Sequence, residues 1–173
     1  DADFPTIPGD NCGGFLHACG GAQFGDGALQ FGVMFPRDNS FGIVGVAPGV
    51  QGSNIYLWNA YSHQGPDTLS INMEVAGLNQ AAQNGVRVVF MDFRHDQYSS
   101  IEAAAIAQAY AAGATIVAGM GIYGQYTSQT YPGSYPHVIS VSGVALNGAF
   151  AGTGTCDGGQ WASGSDYGPM VTL

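Results

Sequence analysis

Positive charge is almost missing from this 173-residue sequence: it has no lysine, and Arg37, Arg87 and Arg94 face 12 acidic residues, for a net charge of −9. Nucleic-acid binding needs clustered Lys and Arg against the phosphates, so it is excluded as a function. An anionic membrane surface is excluded by the same sign of charge. Long apolar runs are missing too. None approaches the roughly 20 residues that cross a bilayer, so no membrane insertion is expected. The chain opens without a basic stretch leading into an apolar one, and the expectation is that any signal peptide has already been removed. Cysteine is scarce, at Cys12, Cys19 and Cys156. Cys12 and Cys19 flank a short Gly-rich loop that a disulfide would close, and their spacing lacks the Cys-x-x-Cys pairs of a zinc site. Cys156 is left without an assigned partner. A disulfide-permissive location, secreted or periplasmic, is expected.

What is present is apolar and rich in glycine. Hydrophobic residues make up 46% of the chain, charged ones 9%, and there are 28 glycines. That balance excludes a disordered chain and fits one loop-rich α/β domain with a real core. The expected organisation is a single domain over 1–173, with a loop-rich entry over 1–27 and an α/β core over 28–173. Asn54–Trp58 reads as a short β-prone strand. Leu69, Met73, Ala76, Leu78 and Ala81 recur at helical spacing until Asn84-Gly85 stops them. Val86–Met91 is an apolar run of strand length. Ser99-Ser100 with Glu102 opens an alanine-rich helix that Gly113 ends. Ala114–Ala118 and Val138–Val144 read as further strands. Strand, helix, strand, helix, strand implies βαβ units in a doubly wound parallel sheet with flanking helices. In such a sheet, sites gather at the carboxyl ends of the strands, here the loops after Trp58, Met91 and Ala118.

Phe35-Pro-Arg-Asp-Asn-Ser-Phe-Gly-Ile-Val-Gly-Val-Ala-Pro48 resembles the run that follows the catalytic-histidine helix in subtilisin-like serine proteases, the subtilases. The family reads His-Gly-Thr-His-Val-Ala-Gly-Thr before it. An ungapped step back places Asp26 at that histidine, with Gly27 and Gly32 on the two motif glycines. Ala109–Ala118 is similar to the family's next helix and strand. There the family continues Ala-Ala-Gly-Asn-x-Gly, whose asparagine stabilises the oxyanion, and this chain has Ile122 at the asparagine. Where the family has Ser-Leu-Gly, whose backbone pairs with substrate, the chain has Asp92-Phe93-Arg94. The resemblance therefore implies a degenerate site. A carboxylate of pKa about 4 is a poor base near neutral pH. Losing one oxyanion donor in a subtilisin costs on the order of 100- to 1000-fold in turnover.

The same resemblance implies an α/β fold incomplete at both ends. Asp1–Pro5 is similar to the segment after the family's catalytic-aspartate strand, and Asp166–Leu173 to the segment before its serine helix. No Gly-Thr-Ser-Met-Ala occurs. The implied role is a pseudoprotease that binds protein or builds an assembly, with a protein partner or further polypeptide over the open core. The alternative is a processed fragment of a secreted serine endopeptidase. Tyr131-Pro132-Gly133 resembles the wall of the family's specificity pocket, where the Tyr–Pro bond is commonly cis. Weaker candidates are His17 as a displaced histidine, His95 with Asp96 as a metal pair, and Asp38-Asn39 for calcium. No cofactor is expected, with calcium weakly supported at most.

Overall fold

The computed structural model describes residues 26–58, 60–62, 68–144 and 164–173, with two compact units, Asp1–Ser70 and Ile71–Leu173. Cys12, His17, Cys19 and Cys156 lie outside the described residues.

In the first unit, α1 spans Asp26–Met34. Phe31 is buried and packs edge-on against Phe35, ring centres 4.8 Å apart. The Gly45-Val-Ala segment folds back onto the helix end, with Val46 N–H on Val33 O at 3.1 Å and Ala47 N–H on Met34 O at 2.7 Å. The apolar motif is thus a clasp on the helix's last turn, and it satisfies carbonyls that a helix end leaves open. Asn54–Trp58 does not form the expected strand. Gly52–Asn54 is a 3-10 turn, and Tyr56 and Leu57 are exposed. The residues fit a pleated surface, but β propensity only acts where a partner strand supplies the ladder. Such a ladder forms a little later, where β1 (Tyr61–Ser62) pairs antiparallel with β2 (Thr68–Leu69).

The second unit holds the parallel sheet. Its elements are α2 (Ile71–Gln83), β3 (Val88–Met91), α3 (Ser100–Ala111), β4 (Thr115–Gly119) and β5 (Val138–Val141), in strand order β3-β4-β5. Val89 faces Ile116 and Phe90 faces Val117 in one ladder, while Val117 faces Ile139 in the next. These are the helices and strands that periodicity predicts, displaced by one to three residues at their ends. The Ser99 side chain caps α3 by accepting the Glu102 N–H at 3.3 Å. Both helices close on a glycine in the left-handed region, Gly85 and Gly113, a conformation that costs other residues strain.

α3 buries Glu102, Ala105, Ile106 and Ala109, the i, i+3, i+4, i+7 stripe of an amphipathic helix. Its small residues let it lie close against Leu78 of α2 and against Ile116 and Ala118 of β4. One member of that stripe is not apolar, and neither is Glu74 one turn before Leu78 on α2.

Candidate functional site

Beyond the carboxyl ends of β3 and β4, three loops meet: 92–98, 120–126 and 164–168. Asp166 is the knot between them. It is fully buried, and its Oδ1 accepts the Tyr123 and Gln125 N–H groups at 3.1 Å each. Its Oδ2 takes the Arg94 guanidinium at 2.6 Å, and Arg94 also pairs with exposed Asp96 and lies over the Tyr123 ring at 4.7 Å. Gly121 has φ of +117°, and a Cβ there would collide with the Arg94 Cδ and Asp166 Oδ2. Arg94 therefore fills the gap between the two strand ends. Ile122, next in line, is exposed and offers an apolar side chain with no donor.

Tyr131, Pro132 and Gly133 are buried, and the Tyr131–Pro132 bond is cis. Tyr131 exchanges two backbone hydrogen bonds with His95, at 2.8 and 2.9 Å, and their rings stack at 5.9 Å. That pairing brings the loop after β3 over the start of α3. His95 Nε2 then sits 3.0 Å from Glu102 Oε2 and 3.9 Å from Glu74 Oε2, and each carboxylate side chain is fully buried. The Tyr135 hydroxyl donates to Glu102 Oε2 at 2.8 Å and accepts the Ser99 N–H at 2.8 Å. One metal-ligating atom from each of Glu74, His95 and Glu102 lies within 4.8 Å of the others.

The electrostatics follow from burial. Loss of water, then the neighbouring Glu102 charge, pushes the Glu74 carboxyl up to about 8. For His95, burial works against the charged ring, but contact with Glu102 and the charges of both glutamates outweigh it, so its pKa is raised. The Tyr135 hydroxyl is also raised, by burial and by Glu102. The 3.0 Å approach of His95 to Glu102 is an ion-pair contact without hydrogen-bond alignment. Among the described residues, neither Glu74 oxygen accepts a hydrogen bond.

The structure separates some candidates that the sequence grouped. His95 joins two glutamates, while Asp96 turns out to solvent with Arg94. Asn39 Oδ1 accepts the Phe41 N–H at 3.1 Å in a local turn, and Asp38 and Asn39 border a surface depression of about 790 Å³ with Pro48 and Gln51. Asp26 is the first residue of α1. Glu74, Glu102 and Asp166 were not anticipated as site residues. A signal did exist for the first two: they are the chain's two glutamates, and both fall on helix stripes that should be apolar.

Residues 21–172 match the Subtilase family. The chain is 33% identical to subtilisin DY of Bacillus licheniformis over 146 residues, covering 76% of this chain and 52% of that protein. It is 27% identical to the thermostable alkaline protease of Halalkalibacterium halodurans over 169 residues, 91% of this chain and 42% of that one. Among solved structures, a psychrophilic subtilisin-like protease from an Antarctic Pseudoalteromonas superposes with a TM-score of 0.61 at 27% identity, over 82% of this chain and 29% of that one. The chain thus spans about half the length of the curated relatives it matches.

Proposed function

Since the chain belongs to the Subtilase family, we propose that it is a non-catalytic member of that family, a secreted or periplasmic domain that works by binding protein or by building a larger assembly. The observation that carries this reading is the Arg94–Asp166 pair. It occupies the space between the ends of β3 and β4, where the family resemblance puts the substrate strand and the oxyanion donor. A peptide entering there must displace a guanidinium whose carboxylate partner is fully buried, and stranding such a partner costs about 3–5 kcal/mol. Ile122 supplies no donor for a developing oxyanion, and Asp26 in place of an imidazole supplies no base near neutral pH. Exposed apolar side chains on β3, Val88 at 63% and Phe90 at 44%, support a protein partner or further polypeptide as the binding counterpart.

One observation favours a second reading, a segment of an active serine endopeptidase: the chain is 33% identical to subtilisin DY over 146 residues. Treating the native full-length protein with a fluorophosphonate serine probe, alongside a peptide-hydrolysis assay, separates the two. The expected result is neither labelling nor turnover. Stoichiometric labelling of a serine in this fold would overturn the non-catalytic reading.

A further inference from the structure

We propose that Glu74, His95 and Glu102 form a binding site for one divalent transition-metal ion of the zinc class. The site uses other side chains than the Arg94–Asp166 pair and does not depend on whether the domain catalyses anything. Its three side chains come from three separate pieces of backbone: Glu74 from α2, Glu102 from the first turn of α3, and His95 from the loop after β3. The loop is held by its two backbone hydrogen bonds to Tyr131. The donors are therefore fixed before any ion arrives.

The spacing suits a small cation. Bonds of about 2.0–2.2 Å in a tetrahedron put neighbouring donor atoms about 3.4 Å apart. His95 Nε2 lies 3.0 Å from one carboxylate oxygen and 3.9 Å from the other, on either side of that value. One imidazole with two carboxylates is a set that zinc and its first-row neighbours accept. Calcium wants six to eight oxygens, more than these two carboxylates supply. No fourth protein ligand joins the group among the described residues, which leaves that position to water.

An independent feature points to a ligand. Glu74 is 3% exposed, its side chain is aimed into the cluster, and among the described residues neither of its oxygens accepts a hydrogen bond, its near neighbour being the second carboxyl, Glu102. Proteins rarely leave a buried carboxyl in that state without a reason such as an ion. The outer contacts fit as well: the Tyr135 hydroxyl holds Glu102 Oε2 from behind, as a partner that orients a ligating carboxylate does. The His95 side chain is 15% exposed and provides the way in.

The groups facing Glu74 and one another are Glu102 on α3, His95 on the loop and Tyr135 beside Glu102. Carboxylate and imidazole ligands bind a metal in their deprotonated forms, so affinity for the ion rises with pH.

The test is a titration of the chelator-stripped full-length protein with cobalt(II), followed by zinc(II) competition. The expected result is one equivalent bound, with the visible d–d bands of four-coordinate cobalt, stronger at pH 8 than at pH 6. Glu74→Gln and His95→Gln should abolish the bands while leaving the far-ultraviolet circular dichroism intact. Tyr135→Phe should weaken binding on the order of 10- to 100-fold. Should a variant fail to fold, protection of His95 from diethylpyrocarbonate by zinc in the wild-type protein gives the same answer. Absence of a saturable cobalt spectrum, bands that persist in Glu74→Gln and His95→Gln, or unprotected His95 would each overturn the site.

Discussion

Glu74 has the clearest consequence of any single residue. Its carboxyl is raised from 4.5 to about 8, so the folded chain holds a proton that the unfolded chain releases. Folded stability therefore falls as pH climbs from about 4.5 to about 8. His95 adds to the fall, because its pKa is raised from 6.5: its contribution is present below that value and is lost as pH rises through the folded one. Urea midpoints taken in chelator at about pH 5, 6.5 and 8 should decline for the wild type, and Glu74→Gln should flatten much of the slope. A wild-type midpoint that rises over this range would mean the carboxyl is not buried as described. Asp166 makes the second prediction at this scale. Asp166→Ala removes the acceptor of two backbone N–H groups and the buried partner of Arg94, leaving it exposed Asp96, and a cost of about 3–5 kcal/mol in denaturant unfolding is expected. Arg94→Ala in the same background should recover part of that loss, since the guanidinium left without its buried partner is then gone.

At the scale of elements, α3 is the piece on which the site depends. Its start is set by the Ser99 cap and by the Tyr135 hydroxyl, which accepts the Ser99 N–H and donates to Glu102. Ser99→Ala should cost about 1 kcal/mol of stability, the usual worth of an N-cap. Because Glu102 lies in that same first turn, fraying there should also loosen His95. Proton exchange at the amides of 99–103, measured by mass spectrometry, should accelerate in Ser99→Ala while β4 stays protected. Uniform exchange across α3 and β4 would show that the cap does not control the turn locally. The three-stranded sheet itself rests on apolar contacts: Ile116 and Ala118 are fully buried beneath α3.

At the scale of the molecule, charge and exposed apolar surface act in opposite senses. A net charge of −9 keeps chains apart, and exposed Val88 and Phe90 on β3 favour a partner. The proposed assembly role then predicts a solution mass above that of one full-length chain. Light scattering should show it most clearly at moderate salt, where repulsion is screened within about 10 Å. A monodisperse monomer throughout would count against assembly.

The sequence by itself determined the lineage and most of the second unit. Helical spacing in 71–83, the Ser99 cap and the β-branched runs are local signals, and the structure carries them almost unchanged. It also determined which groups the resemblance aligns with the family's histidine and asparagine, Asp26 and Ile122, because register needs only an ungapped motif. The Asn54–Trp58 run misled for the opposite reason: a strand depends on a neighbour, which composition does not reveal. Only the tertiary structure decided that Arg94 reaches Asp166, 72 residues away, and that His95 meets the chain's two glutamates. Those contacts arise from how α2, α3 and the loop after β3 close on one another. Glu102, which local sequence marks as a first-turn acid, becomes a buried partner of His95 through that closure.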